Sequence, residues 1–332
     1  MPPFGFRRRI HAVSLIACGI TAFAAHSGAF AQTSYPTKPI RIIAQFQPGT
    51  STDILARVIA QKFTEAWGQQ VVVDNRPGAG GIVGTEIGAR AAPDGYTLTM
   101  GVSSAFGINP SLYSKLPYDA VRDFAPISNI ALTPQTLVTS PSSAYRSVKD
   151  LVAAAKAKPG AITFASLGSG STSHLTAEMF RSAAGIRLNH IPYKGSPAAH
   201  GDVMTGQVAI MFDAIPATLP HIKSGRLRGL GIGTQTRSPL LPELPTIAEA
   251  GYPGFEAVGW IGLVAPAKTP TAILDKLNAE IVRMQKEPDV KERLNALAFT
   301  PVAGTRAEFA AFMKSEIAKW GQAVRESGAK AE

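Results

Sequence analysis

The sequence predicts an α/β protein built from two lobes, and three observations carry that prediction. Strand-like and helix-like patterns alternate from one end of the chain to the other. A second strand–helix series starts afresh near Thr136. The amphipathic helices at the C-terminal end need a surface to cover, and the first lobe's sheet is the natural candidate, which makes that lobe discontinuous.

The elements follow in order. Pro39 to Ala44 reads as a short apolar strand, followed by a turn at Pro48-Gly49. Ile54, Leu55, Val58, Ile59, Phe63 and Trp67 recur at three- and four-residue spacing, so residues 52–67 read as an amphipathic helix that Gly68 ends. Val71-Val72-Val73 and Tyr96 to Met100 are the next strands. In the second unit, Leu137-Val138-Thr139 reads as strand, and Ser147 caps an Ala-rich helix over 148–157. Strand 162–165, helix 173–184 and strands 208–212 and 227–232 follow. The chain then returns with strand 259–264, helices near 270–286 and 288–298, and a last helix opened by the capping box Thr305-Arg306-Ala307-Glu308. The expected boundaries are a leader at 1–31, the first part of lobe 1 at 32–133, lobe 2 at 134–256, and the return to lobe 1 at 257–332.

The N-terminus sets the expected compartment. Arg7, Arg8 and Arg9 precede an apolar stretch from Ala12 to Ala25, and Ala29-Phe30-Ala31 supplies the small-x-small pattern cut by signal peptidase. The stretch is too short for a spanning helix, which needs about 20 residues. Export to the periplasm with cleavage after Ala31 is therefore expected. Leu15-Ile16-Ala17-Cys18 also fits a lipoprotein box, but that reading shortens the apolar region, places His11 inside it and leaves the Ala31 site unused.

Composition excludes several classes of function. The formal net charge is +10, and removal of 1–31 takes three arginines and no acid, leaving +7. No Lys/Arg run follows residue 9, so nucleic acid is not expected as a partner. The one cysteine is Cys18, so Cys nucleophiles and Cys-type zinc sites are absent from residues 32–332. His174, His190, His200 and His221 lack paired metal spacing, and no metal or cofactor is expected. Gly78 to Gly84 fails the dinucleotide fingerprint at Val83 and reads as a turn for close helix packing. Gly101-Val102-Ser103-Ser104-Ala105 misses the hydrolase elbow by its last residue, and no catalytic set stands out.

Two strand–loop–helix junctions remain. One is Phe46 to Asp53, containing Gly49, Thr50, Ser51 and Thr52; the other is Ser166 to His174, containing Ser169, Gly170, Ser171 and Thr172. Unpaired N–H groups at a helix start favour an anion, and ligands of open α/β sheets sit at the carboxyl ends of strands. Neither loop holds a lysine or arginine, so neutral donors from both loops would have to act together. The same residues also serve as ordinary N-caps and turns. Asp53 either favours the helix dipole, orients its loop, or meets a ligand amine or hydroxyl.

At these residues the chain resembles the Bug family, the periplasmic substrate-binding proteins of tripartite tricarboxylate transporters. The resemblance runs over residues 35–320 and rests on ordered motifs. They include Tyr35 to Arg41, Asn75-Arg76-Pro77-Gly78-Ala79-Gly80-Gly81, Pro93 to Leu98, Lys115 to Asp119, Pro192-Tyr193-Lys194-Gly195 and Pro245 to Gly251. It implies a type II periplasmic-binding-protein fold, two α/β lobes with a ligand cleft between them. It implies a monomeric receptor, not an enzyme, that passes a small carboxylate to the permease subunits. Family ligands are di- and tricarboxylates, acidic amino acids and aromatic acids. Presentation of the ligand to a membrane sensor kinase is the alternative use of the same site.

The resemblance also carries over site residues. Positions 48–53 and 168–174, with His174, match the two jaws, and Ser103, Ser104 and Asp213 match positions facing the cleft. One departure is Thr50, where the family usually has a second Gly after Pro48. Either this position needs φ > 0 and Thr fits it poorly, or the side chain narrows the pocket or adds a donor.

Overall fold

A single strand joins the two halves of this fold. The computed structural model describes residues 35–331, and Pro36–Glu332 form one compact unit. The leader at 1–31, with Cys18 and Ala31, lies outside the described residues.

The first half runs β1 (Ile40–Ala44), α1 (Ser51–Trp67), β2 (Val71–Asn75), α2 (Ile82–Ala89) and β3 (Thr97–Val102). A π-helical turn at Ser104–Ile108 leads into the short α3 (Asn109–Leu112). Then β4 (Phe124–Thr139) opens the second half, which continues with α4 (Val148–Ala157), β5 (Thr163–Ser166), α5 (Thr172–Ala184), β6 (Asn189–Pro192) and α6 (Ser196–Thr205). After these come β7 (Ile210–Ala214), α7 (Ile215–Lys223) and β8 (Arg228–Ile232). The chain returns through β9 (Val258–Pro266), α8 (Thr271–Met284), α9 (Pro288–Ala296), β10 (Thr300–Pro301) and α10 (Arg306–Ser327).

The strand order is β2-β1-β3-β9-β4-β7-β5-β6, with β8 and β10 also paired to β4. Pairing is parallel around β1 and β5, and antiparallel wherever β4 or β9 takes part. Strand β4 changes partners along its length: Phe124 to Pro134 pair with β9, and Gln135 to Thr139 pair with β7. At the change, Gln135 N–H donates to Ala257 O (3.1 Å), Gly233 N–H to Gln135 O (2.7 Å), and Ala257 N–H to Gly233 O (2.8 Å). Both chain crossings are thus tied at one point.

Alternation along the strands explains why the second half is covered on both faces. Leu137, Phe164 and Phe212 pack in one core with Val148, Leu151 and Phe180. Their strand neighbours Val138, Ala165 and Met211 pack in the opposite core with Val203 and Leu227. Local chemistry sets the helix ends as the sequence predicts. Thr50 and Ser147 cap α1 and α4, Gly68 closes α1 with φ +65°, and Thr305 and Glu308 form the capping box of α10.

The terminal helix differs from expectation in what it covers. Trp320 and Val324 of α10 pack not only on Ile108 of the first half but also on Leu175 of α5. Arg181 Nη2, near the end of α5, donates to Ser327 O at 3.3 Å. Helix α10 therefore rests on both halves.

Candidate functional site

Both junctions singled out in the sequence become helix starts built on one plan. In the first, Gly49 takes φ +85° and Thr50 stands as N-cap of α1 with φ −77°. Thr50 Oγ1 donates to Gln47 O (2.9 Å) and accepts from Asp53 N–H (3.4 Å). Asp53, on the first turn of the helix, reaches back to accept the N–H of Gly49 at 3.0 Å. In the second, Gly170 takes φ +81° and Ser171 caps α5, accepting from His174 N–H at 3.2 Å. His174 Nδ1 then accepts the N–H of Gly170 at 3.2 Å. In each jaw the third helical residue holds the residue before the cap.

This settles two alternatives. Position 50 does not need a positive φ; Gly49 supplies the left-handed residue, and Thr50 is an ordinary cap that adds a hydroxyl. Asp53 orients its loop. Besides Gly49 it accepts from Asn75 Nδ2 (3.0 Å), which also donates to Phe46 O (2.9 Å), and Arg57 Nη2 lies 2.9 Å away.

A third helix start joins the two. Asp213 is the next-to-last residue of β7, Ala214 ends that strand and caps α7, and Asp213 Oδ1 accepts the N–H of Ala214 at 2.8 Å. The strand end at Ser103-Ser104 faces the same place. Ser103 Oγ is engaged by Trp260, accepting from its N–H (2.6 Å) and lying 3.3 Å from its O, whereas Ser104 Oγ is buried without a partner.

These elements enclose a cavity of ≈ 50 Å³. Thr50, Ser51, Thr52, Ser103, Ser104, Ser171, Thr172 and Asp213 line it. Gly49, Asp53, Ser169, Gly170 and His174 are not in its wall. Asp53 and His174 brace the jaws from behind, Gly49 packs on Pro197, and Ser169 and Gly170 meet Gly80, Asn109 and Tyr113 across the gap between the halves. Tyr113 OH donates to Ser169 O at 3.0 Å. The rest of the wall includes Phe46, Thr133, Gln135, Leu167, Ser173 and Trp260. Thr133, Gln135 and Trp260 escape sequence reasoning because they enter from the crossing strands β4 and β9, where no local motif marks them.

The cavity wall is poor in charge. No lysine or arginine lines the cavity, and Asp213 is the one ionisable residue in its wall. Asp213 is 3% exposed, and its Oδ2 lies 3.0 Å from His200 Nε2. That distance suits an ionic contact, but neither atom has a partner in hydrogen-bond geometry. Behind His200 the ring of His221 packs edge-on at 5.2 Å. Burial, with His200 and Arg226 beside it, pushes the His221 imidazole below its usual range. A larger surface groove of ≈ 880 Å³ lies elsewhere, between the start of α4 and β8, and carries Arg146, Lys149 and Glu243 instead of converging helix starts. Among the described residues no group of three or more His, Cys, Asp or Glu is placed to hold a metal.

Residues 55–329 match the TctC family, described as the tripartite tricarboxylate transporter family receptor. The chain belongs to that family. This receptor is 42% identical to Protein BugT of Bordetella pertussis over 315 residues, 94% of this chain and 97% of that one. Among solved structures it resembles Rpa4515 of R. palustris, solved with adipate, at 33% identity and a TM-score of 0.87, covering 90% of this chain and 100% of that one. The periplasmic binding protein BugD follows at 32% identity and 0.85, covering 90% and 100%. MatC of Rhodopseudomonas palustris, with bound malate, stands at 29% and 0.84, covering 87% and 100%. The family consists of substrate-binding proteins, not enzymes, and the two-lobed α/β fold is that of its periplasmic members.

Proposed function

We propose that this receptor captures a small carboxylate between its lobes and delivers it to the permease subunits of a tripartite tricarboxylate transporter. The observation that carries the reading is the convergence of three helix N-termini, those of α1, α5 and α7, on one cavity without a lysine or arginine in its wall. Each terminus contributes about 0.3–2 kcal/mol toward an anion. Hydrogen bonds to a charged group add about 1.5–3 kcal/mol each. Micromolar capture requires about 8 kcal/mol, so donors from both lobes must act together.

The lobes in this reading are 32–133 with 257–332, and 134–256. The switch of β4 from β9 to β7 between Pro134 and Gln135 supports that division. Ser51, Ser104, Ser171 and Thr172 are the hydroxyl donors, Gly49, Ser169 and Gly170 shape the jaws, and Asp53 and His174 hold them. In this reading a leader cleaved after Ala31 exports the receptor to the periplasm, and the likeness to BugD, named a periplasmic binding protein, supports it. No helix among the described residues is long and apolar enough to cross a membrane.

Calorimetry with a panel of dicarboxylates, tricarboxylates, acidic amino acids and aromatic acids tests the reading. One class should bind at micromolar Kd or tighter and be recovered unchanged. Ser51 Oγ and Ser104 Oγ are buried without partners, so removing them breaks no internal hydrogen bond. The S51A/S104A double variant should melt like wild type and bind at least about tenfold more weakly. Unaltered affinity in that variant would remove these hydroxyls from the site, and turnover of a panel member would overturn the receptor reading.

A further inference from the structure

We propose that Asp213 is a specificity determinant: its carboxylate accepts a hydrogen bond from the ligand, so the preferred ligand is an acid that also carries a hydroxyl or ammonium donor. The inference rests on the carboxylate reading and narrows it. A cavity built from neutral donors and helix N-termini favours an anion, yet the one ionisable side chain in its wall is itself acidic. A plain dicarboxylate meets repulsion there. An acid with a donor on its carbon chain meets helix N-termini with its carboxylate and Asp213 with its donor.

The geometry leaves Asp213 with capacity to spare. Oδ1 is occupied by the N–H of Ala214 at 2.8 Å. Oδ2 contacts His200 Nε2 at 3.0 Å, and the residue is 3% exposed. A carboxylate accepts more than one hydrogen bond per oxygen, and burial removes the water that would otherwise supply the rest. His200 Nε2, at 3.0 Å, takes one of these positions, and a carboxylate has about four. Ser103 Oγ already accepts from Trp260 N–H and Ser171 Oγ from His174 N–H, and the unpartnered wall hydroxyls of Ser51 and Ser104 are weaker, neutral acceptors. Asp213, the one carboxylate in the wall, is therefore the acceptor with most to gain from a ligand donor.

The test is calorimetry on the purified protein with matched acids that differ only in the donor. One set is succinate, malate and aspartate; the other is adipate, 2-hydroxyadipate and 2-aminoadipate, with both enantiomers of each chiral acid. In wild type, the best hydroxy or amino acid should bind roughly 10- to 100-fold tighter than its plain counterpart, as expected for one hydrogen bond to a charged group. Asp213→Asn keeps an oxygen for the N–H of Ala214 and removes the charge. It should reduce that preference to within a few-fold and tighten the plain acid. Equal wild-type affinities for plain and donor-bearing acids, or a preference that survives in D213N, would overturn the role of Asp213 while leaving carboxylate capture intact. Failure of every acid in a wider carboxylate panel to bind wild type would instead overturn the carboxylate reading, and this inference with it. The wild-type comparison depends on no variant folding.

Discussion

Gly80 and Ser169 meet backbone to backbone across the two halves of the protein: a Cβ on Gly80 would lie 2.2 Å from the carbonyl oxygen of Ser169. Gly80 stands at φ +60° in the Asn75–Gly81 segment, and Ser169 belongs to the second jaw. Asn109 Nδ2 donates to the carbonyl of the same Gly80 at 3.4 Å. The glycine-rich segment thus forms the seat against which the opposite loop packs.

Gly80→Ala should therefore weaken ligand capture. The added methyl forces the jaw away from its seat, and the bound acid's Kd should rise at least about tenfold, equivalent to ~1.4 kcal/mol. Gly160→Ala is the matched control. Gly160 also has a left-handed φ, +81°, but nothing lies within 4 Å of its would-be Cβ. Calorimetry on both variants separates loss of the seat from backbone strain alone, which costs about 1 kcal/mol. Equal affinities in the two variants would show that capture does not require the contact.

Thr50 should behave as a helix cap and not as a misplaced glycine. Its φ of −77° is comfortable for any residue, and its Oγ1 accepts from Asp53 N–H. Caps replaced by Ala lose about 1 kcal/mol, and caps replaced by Gly only a few tenths. Denaturant melts of T50A and T50G should fall in that order. A T50G variant more stable than wild type would mean that this position prefers glycine after all.

Glu316 gives a pH dependence with a defined sign. It is buried on α10, accepts from Trp320 Nε1 at 2.7 Å, and has Lys319 Nζ at 3.7 Å. Burial pushes its carboxyl above the usual range. A group whose pKa is higher in the folded state contributes stability that is full below its unfolded pKa, about 4.3, and fades as pH rises through the folded one. Glu316→Gln mimics the protonated form, so its melting temperature should match wild type near pH 4 and exceed it increasingly toward pH 7. Melts across that range check the trend; a variant that loses ground with rising pH would show that pairing with Lys319 outweighs burial.

Much of the fold is legible in short stretches of sequence. Thr50 to Gly68, Ser147 to Ala157 and Thr305 to Val324 declare their helices because caps and apolar spacing act within a few residues. Other elements are hidden for equally local reasons. Helix α7 contains Pro216 and Pro220, α6 contains Pro197 and Gly201, and the first part of β4 carries Pro126 without clean alternation. Pairing with β9 makes that stretch a strand, and the partner lies more than a hundred residues away.

The chain's own chemistry determined the helix starts, their Gly, Ser and Thr donors, and the lack of a cation in either loop. These properties need only neighbouring residues and were readable before any fold was known. The family resemblance placed Asp213 at the cleft, and the tertiary structure decided that a third helix start, that of α7, comes with it. It also decided that Thr133, Gln135 and Trp260 complete the wall, and that His174 braces its jaw as Asp53 braces the other. The reason is physical: a cap is satisfied within one helical turn, whereas a cavity depends on strand pairings between distant segments, which no local pattern encodes.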